Sequence, residues 1–126
     1  MGCSNNENSN DNPYIQNYSF TVEINLSLPL YSNLKSPGNG IYYSGPNAGA
    51  RGLIIFNAGN DMYNAFDAAC PNQELSDCST MTIHGINALC ACDETEYNLF
   101  TGQGGKPYPM KQYRVELNGN VLRVYN

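Results

Sequence analysis

Apolar side chains recur at every second position through Phe20, Val22, Ile24, Leu26 and Leu28, and again at Tyr113, Val115 and Leu117. A period of two places one set of side chains on one face of an extended chain, so both segments predict half-buried strands. Residues 51–56 predict a third strand, buried because Leu53, Ile54, Ile55 and Phe56 form the longest apolar stretch of the chain. Between the first and third strands, Pro29 and the run Ser36-Pro37-Gly38-Asn39-Gly40 break the pattern, and residues 41–43 predict a short strand that ends before Gly45-Pro46. Ala58-Gly59-Asn60-Asp61 then turns the chain into residues 63–68, a hairpin that delivers Cys70 to a loop. Residues 80–83 and 87–89 predict another hairpin, turning near His84-Gly85 and delivering Cys90. Asn118-Gly119, between residues 112–117 and 121–125, supplies the positive φ angles that a tight closing hairpin needs.

Composition points the same way. With 19 Asn, 12 Gly and 7 Pro in 126 residues, the chain is rich in turn formers and poor in helix formers, which predicts an all-β fold in a single domain. Six basic against 11 acidic residues give a net charge of -5 with no Lys/Arg cluster, so a nucleic-acid partner is not expected. Only 13% of residues are charged, which suits an exported protein, and no apolar run reaches the length of about 18 residues that crosses a bilayer. Residues 1–13, MGCSNNENSNDNP, carry too little apolar surface to offset the entropy of ordering, and predict a disordered tether before a domain spanning 14–126. Gly2-Cys3 with the Ser/Asn run after it resembles the end of a lipobox and the linker of a bacterial lipoprotein, without the apolar segment that would precede it. That resemblance implies lipidation at Cys3, membrane contact only through the lipid anchor, and a lipid-anchored or periplasmic place in the cell envelope. Asn6 stands where an N-myristoylation motif wants Ser or Thr.

Four cysteines, Cys70, Cys78, Cys90 and Cys92, follow the spacing C-x7-C-x11-C-x-C. Zinc ribbons use C-x2-C knuckles so that both thiolates face one ion, and neither pair has that spacing. An even number of cysteines in a small exported domain favours disulfide staples, and the surrounding residues offer a further reading.

Phe66-Asp67-Ala68-Ala69-Cys70-Pro71-Asn72 and the segment from Cys90-Ala91-Cys92-Asp93 to Gly102 resemble the two cluster-binding loops of Rieske 2Fe-2S proteins, with their C-P-H and C-P-C-H-G-S patterns. Gly105-Lys106-Pro107, Pro109 and residues 113–124 resemble that family's Gly-Pro turn and closing hairpin, and the match covers residues 51–125. The resemblance implies stacked antiparallel sheets with a small two-loop subdomain, its cluster-type loops at 69–79 and 89–98. It places Cys70 and Cys90 at the cysteine-ligand positions and Asn72 and Asp93 where the histidine ligands belong, so both imidazoles are missing. It places Thr95 and Tyr97 at the hydroxyls that donate to cluster sulfurs, and Cys78 and Cys92 at an additional inter-loop disulfide. Without iron, Cys70 and Cys90 become two neighbouring thiols whose natural fate in an oxidising compartment is a second disulfide.

The single histidine, His84, lies in a predicted turn and matches no ligand position. Asp93, Glu94 and Glu96 make the loop tip acidic without calcium-loop spacing, and Gly102-Gln103-Gly104-Gly105 opens no helix, so neither predicts a calcium or phosphate site. Asn17-Tyr-Ser and Asn25-Leu-Ser fit glycosylation sequons. No nucleophile sits in a motif beside a base, so no catalytic residue is expected, and thiol-disulfide exchange is the one reaction that C-x-C suggests. The expected protein is a Rieske-like envelope lipoprotein domain with a degenerate cluster site, no cofactor and an unknown protein partner, acting as a disulfide-stapled binding or structural module. The alternative is a ferredoxin-like 2Fe-2S electron carrier using Cys70, Cys90, Asp93 and Cys78 or Cys92. Against it, Cys90 and Cys92 would face opposite sides of an extended backbone.

Overall fold

The computed structural model of the chain describes residues 12–46 and 48–126. Cys3 and residues 1–11 of the expected tether lie outside the described residues. Among the described residues, Asn12 pairs with Ile15, and its side-chain amide donates to the carbonyl of Pro71 at 2.7 Å.

Among the described residues nine strands follow in order: β1 (Thr21–Asn25), β2 (Gly40–Tyr43), β3 (Leu53–Gly59), β4 (Met62–Asp67), β5 (Thr82–His84), β6 (Asn87–Cys90), β7 (Thr95–Asn98), β8 (Gln112–Asn118) and β9 (Val121–Tyr125). All pairings are antiparallel. Six strands form one sheet in the order β1-β9-β8-β4-β3-β2, and β5-β6-β7 form a second. The protein is all-β, as its alternating pattern and turn-rich composition predict.

The run Leu53–Phe56 is apolar throughout because β3 is buried on both faces. Leu53 and Ile55 join one core with Val22, Ile24, Ala65, Tyr113, Leu122 and Val124, while Ile54 and Phe56 point the other way into a second core with Phe66, Met81, Ala88, Tyr97 and Leu99. A strand between two cores cannot alternate polar and apolar residues, and this one does not. The second core also contains Cys70 and Cys90, so the cysteine loops are anchored where the small sheet packs against β3 and β4.

Three local expectations are corrected and one turn is narrowed. The alternation from Phe20 ends at Leu26: Leu28 is exposed, and Pro29–Lys35 form a 3-10 segment with proline at its first turn, where no amide hydrogen is needed. The closing hairpin pairs Asn118 with Val121, so its two-residue turn is Gly119-Asn120, one position later than expected, with φ +60° at Gly119. A glycine at the first central position is what a type II′ hairpin requires. At the β3–β4 turn, Asn60 and Asp61 both take positive φ, the left-handed pair of a type I′ turn. Finally, residues 89–98 are mostly strand: β6 and β7 leave only residues 91–94 as the connecting loop.

Candidate functional site

The first loop leaves β4 at Asp67. Its base closes as a bridge between Ala69 and Thr80, with the Cys70 amide donating to Ser79 O at 2.8 Å and the Met81 amide to Ala68 O at 2.7 Å. Inside it, the Ser76 amide donates to Ser79 Oγ at 2.7 Å and the Ser79 amide to Ser76 O at 3.1 Å, so a mostly polar loop holds its shape with few apolar contacts. The second loop is a tight turn after Cys90. The Glu94 amide donates to Cys90 O at 2.8 Å, Glu94 takes φ +60°, and Asp93 Oδ1 accepts the Thr95 amide at 3.1 Å.

Two disulfides join the loops. Cys70 bonds Cys90 with Cα atoms 5.7 Å apart, and Cys78 bonds Cys92 with Cα atoms 5.1 Å apart, both within the normal range for a cystine. Their settings differ. Cys70 and Cys90 are wholly buried in the second core, whereas Cys78 is exposed and Cys92 half-buried. The turn at 91–94 overrides the alternation expected of C-x-C: the sulfurs of Cys70, Cys90 and Cys92 all lie within 4.8 Å of one another.

Asn72 and Asp93, which the sequence resemblance set at the histidine positions, serve as ties. Asn72 donates through Nδ2 to Tyr97 Oη at 2.8 Å and to Tyr108 O at 2.8 Å, and its Oδ1 accepts the Tyr108 amide at 2.9 Å. Its amide is committed at both ends, clamping the first loop to β7 and to the proline-rich segment at 107–109. Asp93 Oδ2 accepts from Gln73 Nε2 at 3.2 Å, a link between loop tips. Tyr97 is fully buried beneath this clamp. Burial raises its phenol above the ordinary value, the Asn72 hydrogen bond lowers it, and the Asp93 charge raises it again. Thr95 is half-buried and opens β7 opposite Cys90. His84 ends β5, exposed and paired with Asn87. Among the described residues, Asp93, Glu94 and Glu96 do not gather into a ligand group; Glu96 accepts from Asn87 Nδ2 at 3.0 Å on the small sheet.

These residues do not fit a Rieske centre. That centre needs two thiolates on one iron and two neutral imidazoles on the other. Here both sulfurs are spent in a cystine, one imidazole position is an amide held by Tyr97 and Tyr108, and the other is a carboxylate tied to Gln73 and its own turn.

The sequence reading missed the group that fixes the root of the first loop. Asp67 is fully buried, and its carboxylate accepts four hydrogen bonds: from the Ala50 amide (2.6 Å) and Tyr113 Oη (2.7 Å) at Oδ2, and from the Arg51 (3.1 Å) and Ala69 (2.9 Å) amides at Oδ1. Gly49 belongs to the same cage: it takes φ +70°, and a Cβ there would stand 2.5 Å from Asp67 Oδ2. Burial, then the Asp67 charge and hydrogen bond, push the Tyr113 phenol far above its ordinary value. A carboxylate inside the apolar run Ala65-Phe66-Asp67-Ala68-Ala69 was the available signal, since such a residue has to be satisfied by hydrogen bonds. Lys111, also buried, likewise sends its ammonium to Asn17 Oδ1.

No family model and no curated protein matches this chain. Solved structures do resemble it. A chain from the complex of reduced oxygenase and oxidized ferredoxin in carbazole 1,9a-dioxygenase is 23% identical at a TM-score of 0.49, covering 71% of this chain and 82% of that one. The ferredoxin of carbazole 1,9a-dioxygenase from Nocardioides aromaticivorans IC177 is 16% identical at a TM-score of 0.48, covering 73% of this chain and 90% of that one.

Proposed function

We propose that this chain is a Rieske-like β domain whose cluster site has become a pair of disulfide-stapled loops, and that it works as a binding or structural module in the bacterial cell envelope, tethered through a lipid on Cys3. The observation that carries the reading is the fate of the four ligand-equivalent positions: Cys70 and Cys90 bond to each other, Asn72 clamps Tyr97 and Tyr108, and Asp93 bridges to Gln73. Each has a structural task incompatible with holding iron. The module carries no catalytic residue. At most it would serve beside an electron-transfer system, which is the second reading; the three clustered sulfurs of Cys70, Cys90 and Cys92 favour that reading only in a form with both disulfides open.

The test is elemental and covalent. Iron, zinc and acid-labile sulfide are measured per chain after anaerobic purification from a host able to assemble iron-sulfur clusters, and a non-reducing peptide map is made of the same sample. The proposal expects no metal or sulfide and two links, Cys70–Cys90 and Cys78–Cys92. Two irons with two sulfides, or free Cys70 and Cys90, would overturn it in favour of the electron carrier. For the tether, replacing Cys3 with Ala should move the protein from the membrane fraction to the soluble fraction of the bacterial host; unchanged partitioning would reject lipidation.

A further inference from the structure

We propose that the four cysteines form a thiol-disulfide relay, in which Cys92 carries reducing equivalents from a solvent-facing disulfide to the buried one. Three observations combine. Cys78 is exposed, so an external dithiol has an approach to the Cys78–Cys92 bond. Cys70 and Cys90 have no solvent exposure and sit among Met81, Tyr97, Leu99 and Met110, so the same dithiol has no approach to them in the folded protein. Yet the Cys92 sulfur lies within 4.8 Å of both buried sulfurs. Contact between the Cys92 sulfur and either partner therefore needs only a movement on the order of 1 Å.

The chemistry balances with an external dithiol as the sole reductant. One thiolate of the dithiol attacks Cys78 Sγ, forming a mixed disulfide and expelling Cys92 as a thiolate. The dithiol's second thiol resolves the mixed disulfide, leaving as a cyclic disulfide and releasing Cys78 as a thiol. Cys92 then attacks Cys70 or Cys90; a new bond to Cys92 forms as the Cys70–Cys90 bond breaks, and the displaced cysteine leaves as a thiolate that takes a proton from solvent or from Cys78. Two electrons have entered, and one disulfide remains, now containing Cys92. A second dithiol completes the reduction.

The surroundings of Cys92 suit the role of leaving group and nucleophile. Ser79 Oγ stands 3.8 Å from its sulfur, and because a cystine sulfur has no hydrogen the hydroxyl is the donor; Ser76 Oγ, also 3.8 Å from Cys92 Sγ, lies nearer to Cys78 Sγ at 3.4 Å and serves both ends of the exposed disulfide. Such donors stabilise a thiolate more than a disulfide sulfur. Ser79 is fully buried and fixed by the Ser76 amide, so its hydroxyl is held ready for that charge.

The experiment compares two single variants, Cys78→Ser and Cys92→Ser. Both lose the exposed disulfide and so the same loop restraint; only the first keeps a thiol beside the buried pair. Each folded protein, checked by circular dichroism, is exposed to dithiothreitol, quenched in acid, alkylated and mapped. Opening of the Cys70–Cys90 bond should be at least about tenfold faster in Cys78→Ser than in Cys92→Ser, because the internal thiol acts at a high effective concentration. Equal rates would overturn the relay. In wild type, the Cys78–Cys92 link should disappear before Cys70–Cys90, and the reverse order would also overturn it. The starting map of wild type keeps this separate from the stapled-module reading, which fails if the two links are not there at the outset.

Discussion

Replacing Asp67 with Asn keeps the shape of the side chain and reverses the polarity of one of its two ends. If the amide oxygen takes the Oδ1 position, it still accepts from Arg51 and Ala69, but its NH2 then meets the Ala50 amide, which donates at 2.6 Å. The flipped amide would set NH2 against two backbone donors, which is worse. Tyr113 adapts by rotating its hydroxyl to accept. The variant therefore loses charge assistance on its remaining bonds and strands one buried N–H, while it escapes the desolvation of a buried carboxylate. A stranded donor costs about 1–3 kcal/mol, and a bond to a charged group exceeds a neutral one by about 1 kcal/mol, so a net loss of about 3 kcal/mol is expected. A 126-residue domain has only about 6–19 kcal/mol in total, and the loss should lower Tm by about 10 °C. Tyr113→Phe leaves the carboxylate with three N–H donors and should cost about 1.5 kcal/mol. Because the two residues share one hydrogen bond, the double variant should depart from additivity by about 1 kcal/mol. The assay is urea unfolding by circular dichroism with both disulfides intact, which is suitable for a chain without Trp. A loss under about 1 kcal/mol for Asp67→Asn would refute the claim that this carboxylate organises the root of the cysteine loop.

Three other consequences can be measured. The loops closed by the disulfides span 20 and 14 residues, so chain entropy alone assigns about 3.3 and 3.0 kcal/mol to Cys70–Cys90 and Cys78–Cys92. The buried pair should nevertheless cost more when both partners become Ala, because it also leaves a cavity in the second core; equal losses in denaturant titrations would contradict that packing. Tyr113 and Tyr97 have phenols raised by folding, so the unfolded chain releases their protons first, near pH 10. Their contribution to stability is whole below that pH and falls as pH rises above it, and an ultraviolet titration of the 10 tyrosines should show a late fraction that appears only with unfolding. Asn72→Ala removes the three-bond clamp and should cost about 2 kcal/mol, with faster hydrogen exchange at the Tyr108 amide; unchanged exchange there would show that the clamp does not hold the segment.

What was legible in the sequence was local or periodic. The strands around Val22, Leu53 and Tyr113 announce themselves by alternation or by an unbroken apolar run, and the two cysteine-bearing hairpins by their turn residues. The tight turn at 91–94 was not legible, because Ala91 to Glu94 carry no glycine and the left-handed residue is Glu94. Nor was the 3-10 segment, whose proline reads equally as a strand stop. The site was legible through its spacing against a known pattern, which put Cys70, Cys78, Cys90 and Cys92 on two facing loops. The duties of Asn72 and Asp67 were hidden, since their partners lie far along the chain: Tyr108 is 36 residues from Asn72, and Tyr113 is 46 from Asp67.

Why two cystines should stand in these loops follows from what the loops lack. Between Pro71 and Thr80 the first loop puts no side chain into either core, so hydrophobic burial supplies almost nothing to order it. Such a segment needs a local cross-link, and a metal centre or a disulfide can each lower the entropy of the open chain. Here the two cystines supply that restraint. The polar ties then become worth keeping. Asn72 to Tyr108 fixes the first loop on the 107–109 segment, and Gln73 to Asp93 joins its tip to the turn that carries Cys92, whose sulfur lies beside the buried pair. Loosening the exposed Gln73–Asp93 tie should therefore slow exchange through Cys92 with little loss of global stability, whereas loosening the Asn72 clamp lowers stability as well.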